Sequence, residues 1–350
     1  MDSLTKWRSK HEDTGYIMQK NAVLTQATIA RLRARNAHTT FKWVKGHNGH
    51  PGNEAADQLA AEGAVKAVGD EVQTKVPHAF ALSGAKLCCM TQKLAYRAIR
   101  ARKDAKTKPR PRTKANIDMI VSGLKYSFNV QTMERTVWLS LKTRNVSKPA
   151  AQFMWMAIHD GFMVGTHWLR PKMSDELKKR ALCSRCGETE TMTHIIFECE
   201  AIGQELIWNL LKELWDFTDL PWKEPRWGTA FGAACAVFKS STGVRKPAAE
   251  HLWCILTTEA VHLIWKLRCE RVIQNEGAEF SVSEVTNRLY ASLEARLNLD
   301  RRTAAMAKGK KALKPQDVER TWLPILEGGS DLPPNWVVNR GVLVGIKRGR

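Results

Sequence analysis

Phe41-Lys42-Trp43-Val44-Lys45-Gly46-His47-Asn48-Gly49-His50-Pro51-Gly52-Asn53-Glu54-Ala55-Ala56-Asp57-Gln58-Leu59-Ala60 changes character twice along its length. Residues 39–44 are β-branched and aromatic, which predicts a strand. A loop rich in Gly, Asn and Pro follows over residues 46–52, and a helix is predicted to begin near Asn53. Asn53 and Asp57 are four residues apart, so a helix puts both on one side. His47 sits in the loop ahead of that helix, free to swing toward the same side. A carboxylate beside a mobile imidazole suits metal-assisted phosphodiester hydrolysis: the carboxylate holds metal and the imidazole moves protons or aids product exit. Ala55, Ala56, Leu59 and Ala60 are expected to pack the opposite face.

This stretch resembles the C-terminal part of type 1 ribonuclease H. The carriers are the strand, Lys45-Gly46-His47, the glycine-rich loop, and a helix opening on Asn53-Glu54 with Asp57 on its second turn. The resemblance runs back through Leu4-Thr5-Lys6-Trp7 and Ala30-Arg31-Leu32-Arg33, covering about residues 1–69. Asn21 is a candidate cap for the helix ahead of the strand, with Val23, Leu24, Ala27, Ala30 and Leu32 as its apolar face and an end near Asn36. The resemblance implies Mg²⁺-dependent cleavage of the RNA strand of RNA–DNA hybrids. It makes His47 and Asp57 catalytic, Asp57 a Mg²⁺ ligand, and Trp7 and Asn53 nucleic-acid contacts. The family draws four carboxylates from its first strand, first helix, fourth strand and last helix. Asp57 matches the last of these; Asp2 lies in the wrong place for the third. Two Mg²⁺ ions cannot be held by one carboxylate, so the chain alone is expected to be inactive, and a reading frame bounded too far downstream is one expected explanation.

Cys183-Ser184-Arg185-Cys186, then His194, then Cys199 form a Cys-x2-Cys-x7-His-x4-Cys set. Two cysteines on a tight knuckle and a His/Cys pair one helical turn apart can close a tetrahedral zinc site, structural because all four positions are filled. Gly187 gives the knuckle its backbone freedom. Residues 135–200 also resemble the zinc-binding segment that follows reverse transcriptase domains in non-LTR retroelement polyproteins. Phe153-Met154-Trp155, Trp168, the two knuckle cysteines, Glu188-Thr189-Glu190, Thr193-His194 and Cys199 carry that likeness.

Composition is that of a globular chain: 350 residues, 43% hydrophobic and 26% charged, which excludes collagen-like and wholly disordered classes. Lys and Arg exceed Asp and Glu by 20 charges, and that excess favours a polyanion, nucleic acid first. The densest basic run is residues 97–114, where Arg97, Arg100, Arg102, Lys103, Lys106, Lys108, Arg110, Arg112 and Lys114 face a single acid, Asp104. Pro109 and Pro111 interrupt it, so it reads as an extended, solvated arm that contacts phosphates and loses affinity with salt. Eight cysteines without an export-type leader argue against a disulfide framework and for a reducing, intracellular location, nuclear or cytoplasmic. No apolar run is long enough for a membrane span, and no protein partner is indicated.

Beyond Glu134 the chain reads as helical. Ser147 and Pro149 suit a start and Gly161 a stop around Phe153, Trp155, Met156 and Ile158. Apolar stripes recur at Ile207, Leu210, Leu211 and Leu214, and at Trp253, Leu256, Ala260, Leu263, Ile264 and Leu267. Ser281 to Glu284 reads as a capping box ahead of Val285, Leu289, Leu293 and Leu297. Of the tryptophans, Trp208, Trp253 and Trp265 fall on such stripes and are expected in the core. Cys254, His262 and Cys269 lack a fourth ligand, and His159, Asp160 and His167 read as satisfied core or helix-end groups rather than catalysts. The expected fold is mainly α with a small α/β N-terminal piece: a truncated ribonuclease H-like fragment over 1–69, a basic arm over 70–134, a helical zinc-binding region over 135–200, a helical domain over 201–300, and a basic tail and loop over 301–350. Two functions compete: a ribonuclease H-type, retroelement-derived nucleic-acid binder, and a zinc-containing binding or interaction module without chemistry.

Overall fold

A computed structural model describes residues 2–82, 84–108, 110–306, 309, 312–339 and 341–348. The chain divides into two compact units, residues 1–108 and 109–350.

The first unit holds α1 (Arg8–Asp13), α2 (Ala22–Ala34), α3 (Pro51–Ala64) and α4 (Gln92–Lys106), joined by irregular chain and two short 3₁₀ turns. Its buried apolar side chains are few: Tyr16, Ala27, Ile29 and Ala30. The α2 face differs from the predicted one, since Ile29 is buried while Val23 and Leu24 stay exposed. Asn21 precedes α2 in a left-handed conformation and makes no side-chain cap. An ion pair of 2.7 Å from Arg33 to Glu12 ties α2 to α1.

The predicted strand over 39–44 is not formed, and isolated bridges are the only β pairing among the described residues. β-Branched and aromatic residues favour a strand when a neighbour takes up their N–H and C=O groups and packs their side chains. Among the described residues no such neighbour pairs with this segment, and Trp43 is left 73% exposed. Pro51 opens α3 two residues before the predicted start, as suits a residue with no N–H to lose. The helix buries nothing, so the expected packing of Ala55, Ala56, Leu59 and Ala60 is absent; all four are exposed.

The basic run departs from its predicted extended form. Thr91 caps α4 by accepting from Leu94 N at 3.2 Å, and the helix carries Arg97 through Lys106. Arg, Lys and Ala are good helix formers, and Arg100 pairs with Asp104 one turn on at 3.3 Å. The run breaks between Thr107 and Arg110, and Pro111 then opens the next helix. Pro109 lies outside the described residues.

The second unit comprises α5 (Pro111–Phe128), α6 (Glu134–Ser140), α7 (Lys148–Ile158), α8 (Asp175–Lys178), α9 (Gln204–Asp216), α10 (Trp227–Phe231), α11 (Pro247–Cys269), α12 (Val282–Met306) and α13 (Pro315–Trp322). At its centre α11 packs against α7, α9, α10, α12 and α13. Fourteen of its residues are buried, from Glu250 to Leu267, so it is covered all round rather than along one stripe. Arg245 closes its first turn, donating to both carboxylate oxygens of Glu250 at 2.7 and 2.8 Å.

The flanking helices keep their predicted faces. Ile207, Leu211 and Leu214 of α9 and Val285, Leu289, Leu293 and Leu297 of α12 are buried. Ser147 caps α7, accepting from Ala150 N at 3.4 Å. Half of the predicted box forms at Ser281, which accepts from Glu284 N at 3.2 Å while the Glu284 carboxylate turns to Arg288. Trp215, Trp253, Trp322 and Trp336 are completely enclosed. One continuous core runs from Ile117 to Ile346, drawing on all the segments that composition separates at 200 and 300. None of the described helices is long and apolar enough to cross a membrane.

Where α5 and α10 cross, the backbones touch. A Cβ built on Gly123 would stand 2.6 Å from Gly228 Cα, and one on Gly228 would stand 2.5 Å from Gly123 Cα. Backbone atoms cannot yield as a side-chain tip can. Gly123→Ala is expected to destabilise the second unit by about 1–3 kcal/mol, the usual cost of overpacking, read as a lower thermal midpoint. An unchanged midpoint would mean that the helices separate without cost.

Candidate metal centre and nucleic-acid interface

A tight hairpin presents the first two cysteines. Cys183 N donates to Glu188 O at 2.8 Å and Gly187 N to Cys183 O at 2.9 Å, with Gly187 at φ +72°. That φ is open to glycine and strained for other residues. The other two candidates bracket a π-helical turn, His194–Glu198, closed by Cys199 N donating to His194 O at 2.8 Å. A π turn spans five residues per hydrogen bond, which matches the five-residue step from His194 to Cys199. The sequence had suggested an ordinary helical turn.

Together these elements bring one donor atom each of Cys183, Cys186, His194 and Cys199 within 4.8 Å of one another. Cys199 Sγ lies 3.7 Å from Cys183 Sγ and 3.8 Å from Cys186 Sγ. His194 Nε2 is buried without a hydrogen-bond partner. Burial pushes the Cys183 thiol up, but the backbone N–H of Cys186, the His194 imidazole and the Arg185 N–H outweigh it, bringing it down to about 6. Cys199 goes the other way: burial and the neighbouring Cys183 and Cys186 sulfurs raise it to about 12. Sulfurs this close resist ionising together unless a cation compensates them. Three sulfurs, one orphaned imidazole nitrogen and a depressed thiol fit a soft or borderline metal ion.

Residues outside the Cys/His set hold it in place. Trp208 Nε1 donates to Ile196 O at 2.9 Å, fixing the π turn against α9, and Gln204 Nε2 donates to Cys199 O at 3.1 Å. On the hairpin side, Glu190 forms a two-pronged ion pair with Arg268 of α11, whose Nε donates to Glu190 Oε1 at 3.0 Å. Both side chains are almost wholly enclosed. Glu190 belongs to the quoted motif, but its partner is 78 residues away and no local pattern marks it. Cys254, His262 and Cys269 do not converge, and burial drives Cys254 up to about 12. Asp160 is satisfied by Arg112 at 2.6 Å and His167 at 2.9 Å.

In the first unit His47, Asn53 and Asp57 do come together. His47 Nδ1 lies 3.1 Å from Asp57 Oδ2, and Asn53 Nδ2 donates to the same oxygen at 3.3 Å. Glu54 is turned away to accept from Gly49 N at 2.9 Å. The group is largely exposed, and no second carboxylate joins Asp57 among the described residues. Trp7 is partly exposed, with the Lys6 and Lys10 ammonium groups 5.1 and 5.2 Å from its ring. The basic run is shared between the units: Arg97, Arg100, Arg102, Lys103, Lys106 and Lys108 lie in the first, Arg110, Arg112 and Lys114 in the second. Lys114 pairs with Asp118 at 2.5 Å and Arg97 meets Met18 Sδ.

Comparison with known proteins places one segment of this arrangement. The family described as RNase H matches residues 1–65. Ribonuclease H of Zymomonas mobilis subsp. mobilis is 41% identical over 70 residues, 19% of this chain and 44% of that protein. Ribonuclease H of Rhizobium meliloti is 44% identical over 69 residues, covering 18% and 43%. That of Pseudomonas putida is 51% identical over 57 residues, covering 16% and 33%. The chain thus spans less than half the length of these curated relatives. No solved structure matches it. The molecule is mainly helical with an RNase H-like piece at its N-terminus.

The buried pair between hairpin and α11 is the part most open to test. Arg268→Ala is expected to destabilise the second unit by about 3–5 kcal/mol, because Glu190 is left charged and unpaired. Adding Glu190→Gln should restore much of the loss in denaturant unfolding. No recovery in the double variant would show that Arg268 acts through packing alone.

Proposed function

We propose that this chain is a nucleic-acid-binding protein of retroelement origin. Its first unit addresses RNA–DNA hybrid through an RNase H-like piece, and its second is a helical body closed by a structural zinc. The observation that carries the reading is the meeting of His47, Asn53 and Asp57 on one oxygen, within the segment that matches RNase H. Trp7 and Asn53 would contact the substrate beside them. The Lys and Arg side chains of residues 97–114 would neutralise phosphates with little base preference, since point charges read the backbone and not base edges.

The family implies Mg²⁺, and the residues present do not fit a two-ion site. Asp57 is accompanied by an imidazole and an amide, whereas hard cations held in pairs need several carboxylate oxygens. In a site completed by carboxylates from elsewhere, Asp57 would hold metal and His47 would move protons or aid product exit. The chain by itself is expected to bind hybrid and not cut it. Incubation of the 350-residue protein with a labelled RNA–DNA hybrid and Mg²⁺ should leave the RNA intact. Cleavage that Asp57→Asn abolishes would overturn this.

Zinc fits where magnesium does not. Cys183, Cys186, His194 and Cys199 would hold it, and its contribution would be folding energy rather than chemistry, because no ligand position is left open. A site built of reduced thiols would suit a reducing compartment, nuclear or cytoplasmic. The same cluster favours a second reading, a zinc-containing binding or interaction module in which the RNase H-like piece has no catalytic role. Metal analysis should find one zinc per chain, lost in the Cys183→Ser/Cys199→Ser variant, and chelation should loosen residues 135–200 in hydrogen exchange. Zinc content unaffected by the double substitution would refute the assignment.

A further inference from the structure

The two aromatic residues of α7 part company. Phe153 is enclosed, along with Met154, Ala157 and Ile158, while Trp155 remains 48% exposed. It is nonetheless held in place. The His159 ring lies 4.4 Å from the Trp155 ring at 67° and stacks on Trp138 at 4.8 Å and 16°. Trp138 is fixed in turn by Nε1 donating to Glu134 at 3.2 Å, and His159 Nδ1 lies 3.1 Å from Thr113 Oγ1. Burial, with the nearby Arg110 charge, lowers His159 from its ordinary value and so favours the neutral ring.

This stack stands against the basic first turn of α5. Thr113, which bonds His159, lies between Arg112 and Lys114, and Asn116 Nδ2 donates to Ile158 O at 3.0 Å, locking the turn onto the end of α7. Arg112 and Arg170 both reach His167, at 3.2 and 2.5 Å. Arg110 stands near enough to His159 to act on its charge, and Lys114 follows Thr113 by one residue in an exposed pair with Asp118 at 2.5 Å; Arg112 is taken up by Asp160 at 2.6 Å and by His167, and Arg170 by His167.

We propose that this corner of α5, α6 and α7 is a single-strand nucleic-acid site, in which an unpaired base stacks on Trp155 while Arg110 and Lys114 take the flanking phosphates. The occupant follows from the chemistry of the patch. A rigid, half-exposed indole offers a π-face that any unpaired base can use, and the cations beside it match a phosphate chain. Paired bases in a duplex present no free face to it. The site rests on the nucleic-acid reading above, and extends it to a second contact of different selectivity.

The test uses the full, metal-replete chain and fluorescein-labelled 12-mers: single-stranded RNA, single-stranded DNA, and the RNA–DNA hybrid. Trp155→Ala should weaken both single strands about tenfold, within the range for losing one stacked base. It should leave hybrid affinity and the thermal midpoint unchanged, and Trp155→Phe should restore most of the loss. Arg110→Gln with Lys114→Gln should flatten the salt dependence for single strands by roughly 0.7 per residue on the log–log slope. If Trp155→Ala binds single strands like the parent, the proposal is overturned, while salt-sensitive binding by the parent keeps the broader reading; the patch would then be a protein contact. An equal loss for single strand and hybrid also overturns it. A parent chain that binds none of the probes removes both.

Discussion

A helix buried on all sides constrains everything around it, and α11 is such a helix. Residues from Glu250 to Leu267 need apolar cover in every direction, and α7, α9, α10, α12 and α13 supply it. At roughly 25 cal/mol per Å² of apolar surface removed from water, covering side chains such as Trp253, Leu256 and Ile264 is the main term that holds the second unit together. Its polar ends are closed by ion pairs, Arg245 with Glu250 at the start and Arg268 with Glu190 at the finish. The latter makes the Cys/His cluster an extension of this central helix.

The two units contrast in how far they meet their own requirements. In the second, His194 Nε2 is buried among three cysteines without a hydrogen-bond partner. In the first, α3 buries no side chain and Trp43 lies open to solvent. The His47, Asn53 and Asp57 geometry survives there because it is local: a helix turn sets the spacing of the last two, and the loop leaves His47 within reach. Local geometry can bring candidate site residues side by side without a sheet around them.

Much of the helical body was legible from residue patterns. The α9, α11 and α12 stripes and the Ser147 and Ser281 caps follow from spacings within one or two turns, and the four Cys/His candidates from their clustering along the chain. The errors share a cause. Residues 39–44 have the composition of a strand, but a strand exists only in a pair. Residues 97–106 look like a solvated arm, yet Arg, Lys and Ala with a Thr91 cap suffice to form a helix. The five-residue step between His194 and Cys199 required a π turn that no propensity scale anticipates.

The sequence by itself determined which residues could do chemistry, because spacing along a helix or knuckle fixes which side chains share a face. It also determined the excess positive charge. Tertiary structure decided what those residues are held by: Arg268 meets Glu190 across 78 residues, and Gly123 meets Gly228 at a helix crossing. It likewise decided that Trp155 stays open while the tryptophans of α9 and α11 are enclosed or packed against the core. The physical reason is that burial and ion pairing depend on distance in space, and a chain that folds back on itself shares no local pattern between the segments it brings together.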